Sequence, residues 1–188
     1  FRNLGYKTDI KLFQASDHGV PQLRPRIVIV ALRADDADHF RWPEKLPMPA
    51  PTVGDTLLDL MAANGWRHAE KWAAGAQSIA PTIVGGSKKH GGPDLGPSRA
   101  RKAWAELGVE GGTIAEHAPD RGFTGNPRLT VRMVARIQGF PDEWHFTGRK
   151  TAAYRQVGNA FPPPVAEAVG NSIMKMFELA AQRTVMVA

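Results

Sequence analysis

Residues 21–32 read PQLRPRIVIVAL, and this stretch sets the terms for the whole chain. From Ile27 to Leu32 every residue is apolar and mostly β-branched, the pattern of a strand covered on both faces. Side chains alternate along a strand, so Arg24 and Arg26 are expected to point the same way, roughly 6–7 Å apart. Pro25 between them has no amide hydrogen, which suits a strand's first residue or an edge. The stretch therefore reads as a ledge presenting two guanidinium groups side by side to something anionic or rich in acceptors. Two arginines snorkelling at a strand end are the plain alternative.

Upstream, GYKTDIKLFQ at 5–14 alternates loosely and reads as a strand. ASDHGVPQ at 15–22 is a turn, so the two strands are expected to pair as a hairpin. Residues 33–51 shift to charge and then to proline at Pro43, Pro47, Pro49 and Pro51, a connector running over a surface. Thr52 caps a helix through about Ala63, with Leu57, Leu58 and Met61 as its apolar stripe and Asn64-Gly65 as its stop. Residues 66–80 are ambiguous.

The stretch 80–104, APTIVGGSKKHGGPDLGPSRARKAW, is rich in glycine and strongly basic. Its glycines let backbone approach a ligand closely, and Lys88, Lys89, His90, Arg99, Arg101 and Lys102 suit phosphate contacts. A merely solvated loop is the alternative. Thr130 caps a further helix through about Gln138, ended by Gly139 and Pro141. Arg132 and Arg136 share one face of it, Met133 and Ile137 another. Met133 stands where a capping box needs Glu or Gln, which leaves that cap half made. Pro162–Pro164 open the last helix, whose apolar face is Val165, Val169, Ile173 and Met176–Phe177. Just before it, Gly158-Asn159 is placed to hold an anionic group with backbone amides and a helix N-terminus, or is simply a turn.

The composition narrows the function. The chain has 188 residues, with 24 Lys plus Arg against 18 Asp plus Glu and an isoelectric point near 9.9, a balance that favours polyanionic partners. No apolar run approaches the ~20 residues that span a bilayer. There is no cysteine, which excludes disulfides, cysteine-bound metal and a thiol nucleophile within these residues, and fits a reducing, cytoplasmic setting. The six histidines show no metal-ligand spacing, and no metal site is expected.

Taken in order, GVPQLRPRIVIVAL, the proline-rich connector, the basic region, RLTVRMVARIQGFPDEW and AYRQVGNAFPPPVAEAVG resemble the C-terminal half of a cytosine-5 DNA methyltransferase, from its eighth to its tenth motif. The resemblance implies an α/β fold: the edge of a Rossmann-like sheet with an inserted mixed α+β target-recognition domain. On that basis residues 1–45 are catalytic-domain strands, 46–127 the recognition domain, 128–150 the ninth-motif helix supporting it, and 151–188 the tenth-motif turn and helix.

The resemblance also assigns roles. Gln22, Arg24 and Arg26 match a Gln-x-Arg-x-Arg motif, in which Arg26 would reach the flipped cytosine's carbonyl oxygen and Arg24 the backbone near the target nucleotide. Thr82-Ile83 is similar to the family's Thr-Leu dipeptide. With Gly85, Gly86, Ser87, Lys88, Lys89, His90, Arg99 and Arg101 it would approach double-stranded DNA. Gly158, Asn159 and Ala160 match the turn that closes over S-adenosylmethionine, although Ala160 stands where the family often has Ser. Arg132 and Arg136 are expected to be structural.

The family's Pro-Cys nucleophile, its Glu-Asn-Val block and its glycine-rich cofactor turn are all missing. The chain is therefore expected to be part of a longer or split enzyme, inactive alone and partnered by an N-terminal half in cis or as a second subunit. Its apolar strand edge is expected to promote self-association. A non-catalytic DNA-binding module and a transfer-RNA methyltransferase fragment are the competing readings.

Overall fold

The computed structural model describes residues 1–85 and 92–187. Strands β1 (Tyr6–Gln14) and β2 (Pro25–Arg33) pair antiparallel, with Gln14 opposite Pro25 and Tyr6 opposite Arg33. A single turn of 3-10 helix, Ala15–His18, starts the connection between them and is closed by Gly19 in the left-handed region. Among the described residues the α-helices are α1 (Val53–Ala62), α2 (Ala69–Gly75), α3 (Ser98–Glu106), α4 (Val131–Ile137), α5 (Lys150–Asn159) and α6 (Pro163–Val187).

Two apolar cores result. Phe13, Val20, Val30 and Phe40 pack with Val165, Val169 and Met176, so α6 lies against the strand pair and its connector. A larger core gathers Leu57 and Met61 of α1, Trp72 of α2, Trp104 of α3, Met133 and Ile137 of α4, and Tyr154 and Val157 of α5.

The expectation that β2 is covered on both faces is corrected. Val28, Val30 and Leu32 face the smaller core, but Ile27 and Ile29 are 69% and 59% exposed. Opposite them on β1, Leu12 and Ile10 are 60% and 62% exposed. On β1 the usual distribution is inverted, since Lys7, Asp9 and Lys11 share the face of Phe13 while Ile10 and Leu12 look outward. The polar row is met by the connector, where Trp42 Nε1 donates to Asp9 at 2.8 Å and Lys7 pairs with Asp38 at 2.9 Å. Among the described residues α6 is the helix packed on this two-stranded sheet, and the apolar side remains open.

Helix boundaries follow local chemistry. Thr52 caps α1 in a reciprocal box with Asp55, and Gly65 takes a left-handed conformation just beyond its end. Leu58 is half exposed, so the buried stripe of α1 is Val53, Leu57 and Met61. The cap of α4 is completed after all: Met133 N donates to Thr130 Oγ1 at 3.3 Å, and Thr130 N donates to Met133 Sδ at 3.4 Å. A thioether is a weak acceptor, but buried here it serves where a carboxylate was expected. Phe177 lies outside the packed face of α6, half exposed.

His18 is buried against Phe13, with ring centroids 5.3 Å apart. Burial pushes its pKa below 6.5, and Asp17 opposes the shift only in part. The folded chain therefore takes up a proton less readily than the unfolded one. Stability is full above pH 6.5 and falls as the pH drops toward the folded pKa. Between pH 7.5 and 5.5 the thermal midpoint should decline more steeply in the wild type than in His18→Phe, which keeps the ring packing. Parallel curves for the two would show that His18 is not the titrating group.

Candidate functional site

The motif residues converge on one buried junction, built outward from the start of β2. Strand pairing begins at Pro25, so alternation does not extend back to Arg24. Arg24 turns inward instead and is 1% exposed. Its Nη2 donates to the carbonyls of Gly158 at 2.8 Å and Ala160 at 3.1 Å. Its Nη1 donates to the Ile83 carbonyl and, at 3.3 Å, to Gln22 Oε1. Buried Gln22 donates to Gln138 Oε1 at 2.6 Å and accepts from Ile83 N at 2.8 Å. Gln138 in turn donates to the Ala160 carbonyl at 2.8 Å.

The expected pair of guanidinium groups on one ledge is thus corrected. Arg24 is an internal cross-link, and Arg26 is the arginine presented to the surface. A planar fork of donors is the side chain best shaped to bind several carbonyls from different segments at once. Burial pushes the Arg24 pKa down to about 10, with the like charge of Arg26 adding to the shift and Tyr154 opposing it. It stays cationic at neutral pH. Arg26 is half buried, donates to the Pro25 carbonyl at 2.7 Å, and has its pKa lowered by burial.

The Thr82-Ile83 dipeptide is part of the same junction. Thr82 Oγ1 donates to the Leu23 carbonyl, and Ile83 is fully buried. A short parallel bridge, Leu23 N to the Ala80 carbonyl at 2.8 Å and Ala80 N to the Pro21 carbonyl at 2.9 Å, holds the two segments together. Gly85 meets α5 directly. A Cβ on Gly158 would lie 2.5 Å from Gly85 Cα and 2.7 Å from its nitrogen, so the two backbones cross where only glycine fits. The expected DNA-contacting residues Gly86, Ser87, Lys88, Lys89 and His90 lie outside the described residues. Arg99 and Arg101 are exposed on α3, together with Lys102.

Gly158 and Asn159 do not form an anion-holding turn ahead of a helix. They close α5, and α6 opens on Pro163 and Pro164, which have no amide hydrogen to offer. The Ala160 amide is taken up by the Val157 carbonyl at 3.1 Å. Asn159 keeps an exposed side chain. Arg132 holds the turn after α4 through the Pro141 and Trp144 carbonyls, and Arg136 holds it through Asp142 while pairing with Asp59 of α1.

Sequence reasoning missed Gln138 and Tyr154. Gln138 was legible only as a helix end, since nothing local distinguishes an amide that caps a distant carbonyl. Tyr154 carried a signal, a tyrosine four residues after the start of α5 and four before Gly158. Among the described residues no group of three or more His, Asp or Glu is placed to hold a metal ion. Nor is any described helix long and apolar enough to cross a membrane.

The profile of the C-5 cytosine-specific DNA methylase family matches residues 1–175. The chain belongs to that family. It is 62% identical over 174 residues to the type II methyltransferase M.NaeI of Lentzea aerocolonigenes, covering 91% of this chain and 42% of that protein. To M.NgoMIV of Neisseria gonorrhoeae it is 48% identical over 178 residues, covering 93% of this chain and 56% of the relative. This methylase-family chain thus spans about half the length of those curated relatives. Among solved structures, the Entamoeba histolytica methyltransferase EhMeth superposes with a TM-score of 0.51 at 13% identity, over 94% of this chain and 55% of the other. The Schizosaccharomyces pombe Dnmt2 methyltransferase gives 0.50 at 16% identity, over 94% and 60%. At such identities the likeness is one of fold, a mixed α/β fold with a small sheet.

Proposed function

We propose that this chain is the DNA-reading and base-holding part of a cytosine-5 DNA methyltransferase, completed by an N-terminal half in cis or as a second subunit. The observation that carries the reading is the open apolar face of Ile10, Leu12, Ile27 and Ile29, on a family member that spans 42% and 56% of its relatives. An inverted strand of this kind is stable as the edge of a larger Rossmann-like sheet. Left alone, it favours self-association.

In this reading residues 46–127 form the target-recognition domain, stabilised by α4, and the basic stretch and α3 contact duplex DNA through phosphates. Arg26 holds the carbonyl oxygen of an extruded cytosine, and charge that builds on the base during attack is stabilised by its guanidinium. Arg24 acts at one remove, by fixing the lip from which Arg26 projects. S-adenosylmethionine supplies the methyl group when bound. The carbonyls of Gly158 and Ala160 are taken up by Arg24 and Gln138, and Gly85 covers Gly158 and meets the Asn159 amide, so the exposed remainder of Asn159 is the part of this triplet that would face the cofactor. The remainder of that site, and the cysteine nucleophile, belong to the N-terminal half.

Arg26→Ala tests the assignment in the reconstituted enzyme. Methyl transfer should fall by roughly 10²–10³-fold while duplex affinity changes only a few-fold, because the lost interaction strengthens as charge develops. Equal losses in rate and affinity would reduce Arg26 to a backbone contact. Competition between duplex DNA and transfer RNA separates the two polynucleotide substrates.

A further inference from the structure

Tyr154 lies in the middle of α5 with its ring in the larger core and its hydroxyl buried. That hydroxyl sits 2.8 Å from the Val84 carbonyl and 2.5 Å from the Asp94 carbonyl. A phenol that only filled space would not need the oxygen, and burying it without partners is costly. Burial raises its pKa, Asp94 adds to the rise and Arg24 opposes it, so the proton stays on the oxygen as a donor.

The two carbonyls stand on either side of the glycine-rich segment. Val84 ends the stretch fixed by Arg24 through Ile83 and by the Gly85–Gly158 crossing. Asp94 starts the stretch that leads into α3: Leu95 N donates to the Gly111 carbonyl at 3.0 Å, and Gly96 N to Asp94 Oδ1 at 2.9 Å. Four residues after Asp94, α3 begins at Ser98, with Arg99, Arg101 and Lys102 exposed. One hydroxyl therefore joins the Arg24–Arg26 lip to the basic helix across ten residues of sequence.

We propose that Tyr154 is a positioning residue for DNA binding, its hydroxyl sharing one proton between the Val84 and Asp94 carbonyls and holding the two together so that the Arg26 lip and the exposed cations of α3 engage one duplex at the same time. The inference rests on the DNA-reading proposal above. Cations held at a fixed spacing release counterions together, and cations whose spacing varies do so less completely. The hydroxyl is buried and uncharged, so its effect is on geometry and not on charge.

The test is Tyr154→Phe in the 188-residue chain, titrated with a mixed-sequence duplex of about 30 base pairs at several salt concentrations. The dissociation constant should rise about five-fold or more, and the slope of its logarithm against log salt should fall by about one. Hydrogen exchange at Leu95 and Gly96 should quicken in the same variant. An unchanged affinity and slope, even with a lower thermal midpoint, would overturn the proposal and leave Tyr154 a packing residue. Should the variant not fold, exchange in the wild type decides: Leu95 and Gly96 gain protection on duplex binding if the proposal holds, and no change overturns it. A wild-type chain that ignores duplex DNA would overturn the DNA-reading assignment itself, and this inference with it.

Discussion

Arg24→Ala is expected to lower the stability of the chain by about 3–5 kcal/mol, with a drop in thermal midpoint on the order of 10 °C. The side chain is buried, and its donors meet the carbonyls of Ile83, Gly158 and Ala160 and the amide oxygen of Gln22. Truncation leaves several buried acceptors without a charged donor, each costing about 1–3 kcal/mol before relaxation and water entry. Arg24→Lys should recover less than half of the loss, because an ammonium on a flexible stem cannot reach three carbonyls from two backbone segments in one plane. Arg26→Ala, whose guanidinium among the described residues donates to the neighbouring Pro25 carbonyl, should stay within about 0.5 kcal/mol of wild type. Thermal unfolding of the three variants checks the ranking. Similar small shifts for Arg24→Ala and Arg26→Ala would mean that Arg24 does not hold the junction.

Gly158→Ala carries the second large effect, about 3 kcal/mol of destabilisation. The added methyl would sit 2.5 Å from Gly85 Cα, 2.7 Å from Gly85 N and 2.9 Å from the Val84 carbonyl carbon. Those are backbone atoms, already fixed by Arg24 and Tyr154, so no side chain can swing aside. Gly170→Ala in α6 is the matched comparison. Nothing lies within 4 Å of a Cβ there, and replacing a helical glycine should stabilise the chain by up to about 1 kcal/mol. Opposite signs for the two substitutions are expected in denaturant unfolding. A neutral Gly158→Ala would show that α5 and the Val84–Gly85 segment are not in backbone contact.

How much of this was legible in the sequence depends on the range of the interaction. The strand pair, the Thr52 and Thr130 caps and the break at Gly65 are written in neighbouring residues, and local chemistry sufficed. Helix α3 was hidden by its surroundings: glycines and charges before it suggested a loop, although Ala100, Ala103, Trp104 and Leu107 recur at helical spacing. Helix α5 was hidden by Gly158 and the prolines, which read as punctuation when the glycine in fact serves close packing. Arg24 is the clearest case of the limit. Its motif was visible, but its direction was set by Ile83, Gly158 and Ala160, residues distant in sequence whose carbonyls needed a donor. The same gap left Gln138 and Tyr154 unread, because a buried hydrogen bond to a remote carbonyl leaves no periodic trace.

The open face of the strand pair was legible in a different way. A run from Ile27 to Leu32 built for burial on both sides promised a covering layer on each. The fold supplies α6 on one side, and the excess hydrophobicity of Ile10, Leu12, Ile27 and Ile29 is what the proposed second half would cover.

The central claim is tested most directly by methyl transfer from labelled S-adenosylmethionine to long duplex DNA, with the purified chain alone and with the chain mixed with its N-terminal half. Incorporation in the mixture and none with the chain alone is the predicted result. Turnover by the chain alone, unchanged after further purification, would contradict it, as would silence in both samples while duplex binding remains intact.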